Sequence, residues 1–392
     1  MRARDLGVAV GTGTPGPANA ITDVPGTRVG HCTLTAGPGT DSAEVHTGVT
    51  VVLPHDDGIW SRPVFAGSHR LNGNGELTGL QWVRESGMLT SPIGLTNSHS
   101  VGVVRDALAR VEVARRAPGE LFWALPVVGE TWDGVLNDID GFHVRAEHLE
   151  RALASAVRSG DGAAVAEGNV GAGTGTICHG FKGGIGTSSR VVVLDGTAGY
   201  TVGVLVQANH GRRDRLLVDG VPVGRLIDGR EIPVPIPSGA TVPVEGGGSI
   251  IVVVATDAPL LPHQCDRLAQ RASLGVARAG GVGEHFSGDL VIAFATGNRL
   301  RKSEYGAAAP VTQTLTMLSD GGIDALFAAT VEATEESILN ALVAARTVTG
   351  RAGVRAHALP HSRLVDVLVE HGRPLAPVAV RPDRPPLPEE MS

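Results

Sequence analysis

Runs of consecutive apolar residues recur along the chain, and their richness in Val, Ile and Leu is typical of strands buried on both faces. These runs lie at residues 49–53, 93–96, 191–194, 201–207, 250–255 and 290–296. Between them, apolar residues at helical spacing predict helices at residues 100–116, 147–159 and 262–278. No internal repeat or long linker separates the segments, so we predict one integrated α/β domain.

The most strongly helical stretch covers residues 323–347, after a turn at Gly321 and Gly322. Glu335 and Glu336 interrupt its apolar pattern, so we predict a break near Thr334 and a helix end near Gly350. The final twenty residues, 373–392, contain six prolines and predict an extended tail.

The composition is unusual in its number of glycines. The 392 residues include 54 glycines, about twice the average share, which predicts many tight turns and close backbone approaches. The hydrophobic share of 42% and the charged share of 19% exclude a disordered chain. A net charge of -7 with only two lysines argues against nucleic acid as a partner.

The three cysteines, Cys32, Cys178 and Cys265, lie far apart without CxxC spacing. They therefore indicate buried thiols in a reducing compartment, with neither a disulfide framework nor a cysteine-rich zinc site. No apolar run approaches the roughly 20 residues of a membrane helix, and the N-terminal residues lack the apolar core of a signal peptide. We predict a soluble cytoplasmic protein without a membrane partner.

Several common catalytic signatures are absent from the sequence. Lys182 follows Gly-Phe and precedes Gly, so a phosphate-binding loop is missing, and the run 171–175 lacks the third glycine of a dinucleotide fingerprint. No serine has the surroundings of a nucleophile elbow. The 14 histidines show no metal-ligand spacing. We predict no metal and no cofactor.

One junction suggests a specific chemistry. Three glycines, 246–248, precede Ser249, and a strongly apolar strand follows at once. Glycine permits backbone conformations barred to other residues, as a self-cleaving peptide bond requires. If the Ser249 hydroxyl attacks the Gly248 carbonyl, an acyl shift and hydrolysis leave Ser249 with a free α-amine.

That amine has a reference pKa of about 7.7–8.0, so it can serve as a general base for the hydroxyl of its own residue. The four residues alone also fit a loop that merely enters a strand.

Longer motifs resemble one known family over nearly the whole chain, the DmpA/BapA-type self-processing serine aminopeptidases, which share a superfamily with the ornithine acetyltransferases. The motifs that carry the resemblance are Asn19-Ala20-Ile21-Thr22-Asp23-Val24-Pro25-Gly26 with Val29-Gly30-His31, Thr90-Ser91-Pro92-Ile93-Gly94-Leu95-Thr96-Asn97-Ser98, Gly180-Phe181-Lys182-Gly183-Gly184-Ile185-Gly186-Thr187-Ser188-Ser189-Arg190, Val206-Gln207-Ala208-Asn209 and Gly248-Ser249. The resemblance implies an α/β fold, a four-layer α-β-β-α sandwich. It also implies autocleavage before Ser249 into fragments 1–248 and 249–392, which together form one domain.

The resemblance also assigns roles to individual residues. Ser249 matches the nucleophile, and Asn209 matches the amide that donates to the oxyanion; an Asn that caps the strand end is the alternative. Ser287 and Asp289 match the second serine and the acid that hold the amine and hydroxyl of the nucleophile. Some members have Glu at the position of Asp289, so we expect a small main-chain adjustment or a water-filled gap here.

Glu130 resembles the acid that pairs with the free amino group of a substrate, and Trp132 resembles a pocket wall. The implied function is release of N-terminal residues from short peptides, amides or esters, by a homotetramer of processed chains. Two alternatives remain: an acyltransferase of the ornithine acetyltransferase type, against which Ser249 argues because those relatives use threonine, and an uncleaved relative that only binds amine-bearing ligands.

Overall fold

The computed structural model of the protein describes residues 1–37, 44–116, 118–119, 122–194, 196, 198–237, 239–240, 247–301, 311–373 and 375–376. The strands are β1 (Arg28–Ala36), β2 (Val45–Leu53), β3 (Val64–Gly73), β4 (Met88–Leu89), β5 (Ile93–Asn97), β6 (Val127–Thr131), β7 (Ile177–Cys178), β8 (Phe181–Lys182), β9 (Gly184–Leu194), β10 (Ala198–Asn209), β11 (Ser249–Thr256), β12 (Gly288–Arg299), β13 (Val348–Thr349) and β14 (Arg355–Ala356). The helices are α1 (Leu80–Ser86), α2 (Val101–Ala114), α3 (Ala146–Arg158), α4 (Val223–Leu226), α5 (Pro262–Arg278), α6 (Ile323–Ala344) and α7 (His361–Glu370).

Two large sheets form the centre of the molecule. The larger sheet has six strands in the order β4-β3-β12-β11-β10-β9, and the smaller has four in the order β1-β2-β5-β6. Strand β11 runs parallel to β12 and antiparallel to β10. Every residue of β11 is buried, because neighbouring strands flank it and other layers cover both of its faces.

The two sheets pack face to face, and helices cover their outer faces. Val52 and Leu95 of the smaller sheet share one apolar core with Ile251, Val253 and other residues of the larger sheet. Helices α2 and α3 pack on the outside of the smaller sheet, and α5 and α6 on the outside of the larger one. The predicted four-layer α-β-β-α sandwich is confirmed.

The abundance of glycine is explained in part by how closely the helices approach the sheet. A Cβ atom at Gly67 of β3 would lie 2.2 Å from the Asp266 nitrogen in α5. A Cβ atom at Gly186 of β9 would lie 2.0 Å from the Ser337 carbonyl oxygen in α6. Both distances are too short for any side chain, so the helices contact the strands through backbone.

Strands on either side of residue 249 interleave in the larger sheet. Strands β3 and β10 precede Ser249, whereas β11 and β12 begin at or after it, and β12 and β11 lie between β3 and β10. The segments before and after this residue therefore share one sheet and one core.

The predicted strands and the three shorter helices are confirmed; most ends shift by at most four residues, but β9 begins seven residues before the predicted run at 191–194. The apolar runs did not reveal β1, β3 and β6. The predicted tail at residues 373–392 lies almost entirely outside the described residues.

The predicted break near Thr334 is wrong, because α6 runs without interruption from Ile323 to Ala344 and ends before Gly350. The two acids that suggested the break instead form ion pairs. Glu336 is buried against Arg4 and Arg190, and Glu335 pairs with Arg278. The acids thus bind neighbouring segments without interrupting the helix.

Candidate active site

Three strand ends meet around Ser249 at one edge of the larger sheet. Ser249 begins β11 and is the register partner of Asn209, the last residue of antiparallel β10. It is also the register partner of Gly288, the first residue of parallel β12. The topology therefore brings together residues 39 or more positions apart in the sequence.

The Ser249 hydroxyl is held by the backbone. The Gly288 amide donates a hydrogen bond of 3.1 Å to Ser249 Oγ, and Ser249 is only 4% exposed. The preceding residue must be glycine, because a Cβ atom at Gly248 would lie 1.7 Å from the Asn209 carbonyl oxygen. The Ser249 hydroxyl thus has a fixed position, and only glycine fits at the residue before it.

The Asn209 side chain is oriented by two hydrogen bonds. Its Oδ1 accepts from the Ile177 amide at 2.7 Å, and its Nδ2 donates to the Trp132 carbonyl at 2.9 Å. An amide nitrogen carries two hydrogens, so the second remains for an acceptor in the adjoining cleft. Asn209, Gly247, Gly248 and Trp132 all line that cleft.

Ser287 and Asp289 lie on either side of Gly288, the register partner of Ser249. Ser287 Oγ donates to Asp289 Oδ1 at 2.6 Å, and the Ile250 amide also contacts this carboxylate. Burial raises the pKa of Asp289 to about 6, while the Ser287 hydrogen bond opposes the rise. The pairing of β12 with β3 shifts register between Asp289 and Leu290, so the main chain of β12 is irregular directly after Asp289.

Glu130 approaches the same edge from the smaller sheet. Its Oε1 accepts from the Glu76 amide at 2.8 Å, and Ser98 donates to its Oε2. Burial raises the pKa of Glu130. A Cβ atom at Gly75 would lie 3.1 Å from both Glu130 Oε1 and Gly288 Cα, so Gly75 lies between this carboxylate and the start of β12.

Trp132 lies at the wall of the cleft that Asn209 and Gly248 line. Val135, Ile177, Val234, Pro235 and Pro237 make much of the remaining lining apolar. Trp132 also accepts the Asn209 hydrogen bond through its carbonyl. The cleft thus joins an apolar wall to the residues that surround the Gly248 carbonyl.

The full burial of Lys182, near the cleft, was not predicted. Lys182 is fully buried, and its Nζ donates to the Gly173 and Gly183 carbonyls at 3.0 and 2.9 Å. Burial lowers the pKa of Lys182 to about 7, and nearby Asp133 opposes that shift. The only sequence signal was a lysine inside a glycine-rich stretch, in a chain with just one other lysine.

The cysteines are free and buried, as predicted. The prediction of no metal-ligand cluster rested on sequence spacing, and the fold brings Cys178, His179 and His210 together from distant positions. Among the described residues, no helix combines the length and apolar character needed to cross a membrane.

Comparison with known proteins establishes the family. The model of "Peptidase family S58" matches residues 19–356, most of the chain. The chain belongs to peptidase family S58. It is 48% identical over 381 residues to the beta-peptidyl aminopeptidase BapA of Sphingosinicella microcystinivorans, an alignment that covers 95% of this chain and 93% of the relative.

Solved structures show the same similarity. A Burkholderia beta-aminopeptidase matches with a TM-score of 0.87 and 54% identity, covering 95% of this chain and 99% of its own. The L-aminopeptidase D-Ala-esterase/amidase of Ochrobactrum anthropi matches with a TM-score of 0.85 and 43% identity, covering 96% and 99%. The latter is described as a prototype of the serine aminopeptidases with a variant of the Ntn hydrolase fold.

These matches identify the protein as a peptide-hydrolysing serine aminopeptidase of the N-terminal nucleophile type. The similarity extends over nearly the full length of both partners. The predicted family, fold and aminopeptidase function are confirmed. The individual residue roles and the cleavage point stay predictions.

Proposed function

We propose that the chain cleaves its own peptide bond between Gly248 and Ser249 and that fragments 1–248 and 249–392 remain associated. Ser249 Oγ attacks the Gly248 carbonyl carbon; as the C–O bond forms and the C–N bond breaks, the hydroxyl proton passes to the Ser249 nitrogen, which becomes a primary amine and leaves an ester. Water then hydrolyses the ester. The observation that carries this proposal is the shared register of Asn209, Ser249 and Gly288 at one sheet edge.

In the mature enzyme, the Ser249 α-amine takes the proton of its own hydroxyl while Oγ attacks the substrate carbonyl. An α-amine titrates at about 7.7–8.0 in the absence of neighbours, so a useful fraction is free base near neutral pH. The resulting ammonium then protonates the leaving amine. Hydrolysis of the acyl-enzyme by water repeats the proton transfer in the second half of the reaction.

Asn209 supplies the donor for the oxyanion through the Nδ2 hydrogen that Trp132 does not use. Two hydrogen bonds already fix the orientation of this amide, so little reorganisation is needed as charge develops on the substrate oxygen. Ser287 and Asp289 hold the Ser249 ammonium, because the Asp289 carboxylate contacts the adjacent Ile250 amide.

Glu130 and Trp132 bind the N-terminal residue of the substrate. Glu130 is buried, and the two hydrogen-bond donors that the described part of the chain gives it, Ser98 and the Glu76 amide, are neutral. A substrate ammonium would provide the missing opposite charge, which favours substrates with a free N-terminus. Trp132 and the apolar lining of the cleft face the substrate side chain.

The substrates we propose are short peptides or amides whose N-terminal residue is a β-amino acid. The similarity to proteins named beta-peptidyl aminopeptidase and beta-aminopeptidase supports this choice. The similarity to the protein named L-aminopeptidase D-Ala-esterase/amidase supports α-amino acid substrates instead.

A matched pair of substrates tests this choice. The p-nitroanilides of β-homoalanine and of L-alanine differ by one backbone methylene, so their kcat/KM values can be compared directly. A higher kcat/KM for the β-homoalanine compound is expected. A preference for the L-alanine compound would overturn the β-specific assignment but leave the aminopeptidase function intact.

The acyltransferase alternative would require transfer of an acyl group to an acceptor amine in preference to water. Ser249 in place of threonine argues against it. An uncleaved amine-binding protein would run as one chain on a denaturing gel. We also propose that the mature enzyme is a cytoplasmic homotetramer, which light scattering after size-exclusion chromatography and cell fractionation would test.

A further inference from the structure

A cluster of soft ligands lies behind the oxyanion amide. Cys178 ends β7, His179 follows it, and His210 follows Asn209 at the end of β10. One ligand atom from each of the three lies within 4.8 Å of the others. All three residues are buried, so water does not solvate their polar atoms.

The hydrogen bonds leave the Nε2 lone pair of His179 without a partner in this cluster. His179 Nδ1 lies 3.0 Å from the Arg212 carbonyl oxygen, a contact that requires the proton on Nδ1 and leaves Nε2 as a bare acceptor. Among the described residues, His179 Nε2 has no hydrogen-bond partner, and His210 Nδ1 has the Cys178 thiol as its neighbour. An unpaired buried acceptor costs free energy unless something binds to it.

The surrounding backbone fixes both imidazole rings. His179 has a left-handed φ of 48°, and a Cβ atom at Gly211 would lie 2.3 Å from its ring. A Cβ atom at Gly281 would lie 3.1 Å from the ring of His210. Because the space around each ring is filled, the ligand atoms are held in place before anything binds.

The spacing suits a metal ion bound through sulfur and nitrogen. Cys178 Sγ lies 3.8 Å from His210 Nδ1. Bond lengths of about 2.3 Å to sulfur and about 2.0 Å to nitrogen put these two atoms about 3.5 Å apart at a tetrahedral angle. The contact between His179 Nδ1 and a backbone carbonyl is also the outer hydrogen bond that metal-bound histidines usually make.

We propose that Cys178, His179 and His210 bind one thiophilic d10 cation, with Cu+ preferred over Zn2+. Binding replaces the thiol proton of Cys178, which leaves to solvent, so one thiolate and two neutral imidazoles hold the ion. With Cu+ this unit is neutral, whereas with Zn2+ it keeps a positive charge. Arg213, whose Nε donates to the His179 carbonyl at 3.0 Å, already places positive charge near the cluster, which favours the neutral unit.

Titration of the purified, metal-free full-length protein with Cu+ under anaerobic, reducing conditions tests this site. A chromophoric Cu+ chelator of known affinity reports how much ion the protein takes. We expect one equivalent bound, and an X-ray absorption spectrum of the complex with one sulfur and two nitrogen ligands. Zn2+ is titrated in parallel, and a site that takes Zn2+ but not Cu+ would overturn the charge argument.

Cu+ titration of substituted proteins distinguishes binding at this cluster from binding elsewhere on the protein. Cys178→Ala should weaken Cu+ binding by more than about 10²-fold, since loss of even an outer partner costs about 10–100-fold. His179→Asn is a second variant, because Asn tolerates a left-handed backbone but lacks the Nε2 ligand. Cys265→Ala, which removes another fully buried thiol, is the matched control and should bind as the wild type does.

Undiminished binding by both Cys178→Ala and His179→Asn, or no stoichiometric binding by the wild type, would refute the site. Circular dichroism confirms that each variant is folded before titration. These measurements do not involve substrate turnover, so their outcome is independent of the proposed peptidase mechanism.

Discussion

Ser249, the first residue of β11, lies directly opposite Asn209, the last residue of β10, in the antiparallel ladder of the larger sheet. The backbone of two buried strands thus fixes the distance between the proposed nucleophile and the proposed oxyanion donor. Rigid strands hold such a pair more accurately than loops do. Substitutions at these positions can therefore be compared for their effects on catalytic rate and on thermal stability.

Asn209→Ala should lower kcat by roughly 10²–10³-fold with a smaller change in KM, because an oxyanion donor acts mainly on the transition state. Steady-state kinetics on a p-nitroanilide substrate measure both constants. Processing is checked first on a denaturing gel, since the same amide acts in autocleavage, and the kinetics are measured on the cleaved fraction.

Asn340→Ala is the matched control for this variant. Asn340 is another buried Asn whose side chain makes two hydrogen bonds, with the Ala3 amide and the Thr187 carbonyl, but it lies on α6. It should lower the thermal denaturation temperature and leave kcat nearly unchanged. If Asn209→Ala behaves in the same way, Asn209 only anchors the strand end.

The acid limb of the pH profile should depend on Asp289. Its pKa is raised to about 6 by burial, and only the carboxylate form attracts the Ser249 ammonium, so kcat/KM should rise as the pH passes this value. The ammonium itself favours the carboxylate and moves the limb to lower pH. Asp289→Asn should abolish this rise of kcat/KM with pH, and the rise that comes from deprotonation of the Ser249 α-amine should remain.

Two neighbours should move this limb in opposite directions. The Ser287 hydrogen bond lowers the pKa of Asp289, and the charge of Glu284 raises it. Ser287→Ala should therefore move the limb to higher pH, and Glu284→Gln to lower pH. Identical limbs in both variants and the wild type would show that Asp289 does not control the profile.

Glu130 should make the enzyme selective for a free N-terminus. A partly desolvated ion pair with the substrate ammonium is worth roughly 1–3 kcal/mol, and an N-acetyl group adds bulk where the carboxylate lies. An N-acetylated substrate should be cut at least about 10²-fold more slowly than its free-amine counterpart. Glu130→Gln should narrow the gap by slowing the free-amine substrate alone, and equal rates in the wild type would contradict the assignment.

The buried Lys182 and Asp133 should be coupled in stability. Lys182→Met removes the donor of two buried hydrogen bonds and a positive charge near Asp133, and each buried acceptor left without a partner costs roughly 1–3 kcal/mol, so the variant should have a lower free energy of unfolding in urea. Adding Asp133→Asn should recover part of the loss. Strictly additive losses in the double variant would show that the two groups do not interact.

The sequence was sufficient to predict the layers of the fold, but it did not predict the side-chain contacts between them. Continuous apolar runs predicted β10, β11 and β12, because central strands are buried on both faces. The alternating strand β1 escaped this criterion, since only some of its residues are buried. Glu335 and Glu336 were misread because their ion-pair partners lie on distant segments.

In the candidate site, too, the sequence predicted some features and not others. The motifs predicted Ser249, Asn209, Ser287 and Asp289, and the fold brings them to one edge of the sheet. The Gly288 amide, which holds the Ser249 hydroxyl, has no signature in the sequence because a backbone donor depends only on strand register. The proximity of Cys178 to His210 likewise results from tertiary structure.

Self-cleavage is tested most directly by the intact mass of the purified protein under denaturing conditions, together with N-terminal sequencing. We predict chains of 248 and 144 residues, the second beginning Ser-Ile-Ile-Val, whose masses add up to the 40.3 kDa chain plus one water. Ser249→Ala should remain one inactive chain, because alanine has no hydroxyl for the acyl shift. An uncleaved wild-type chain with full activity, or a cleaved and active Ser249→Ala variant, would contradict the mechanism.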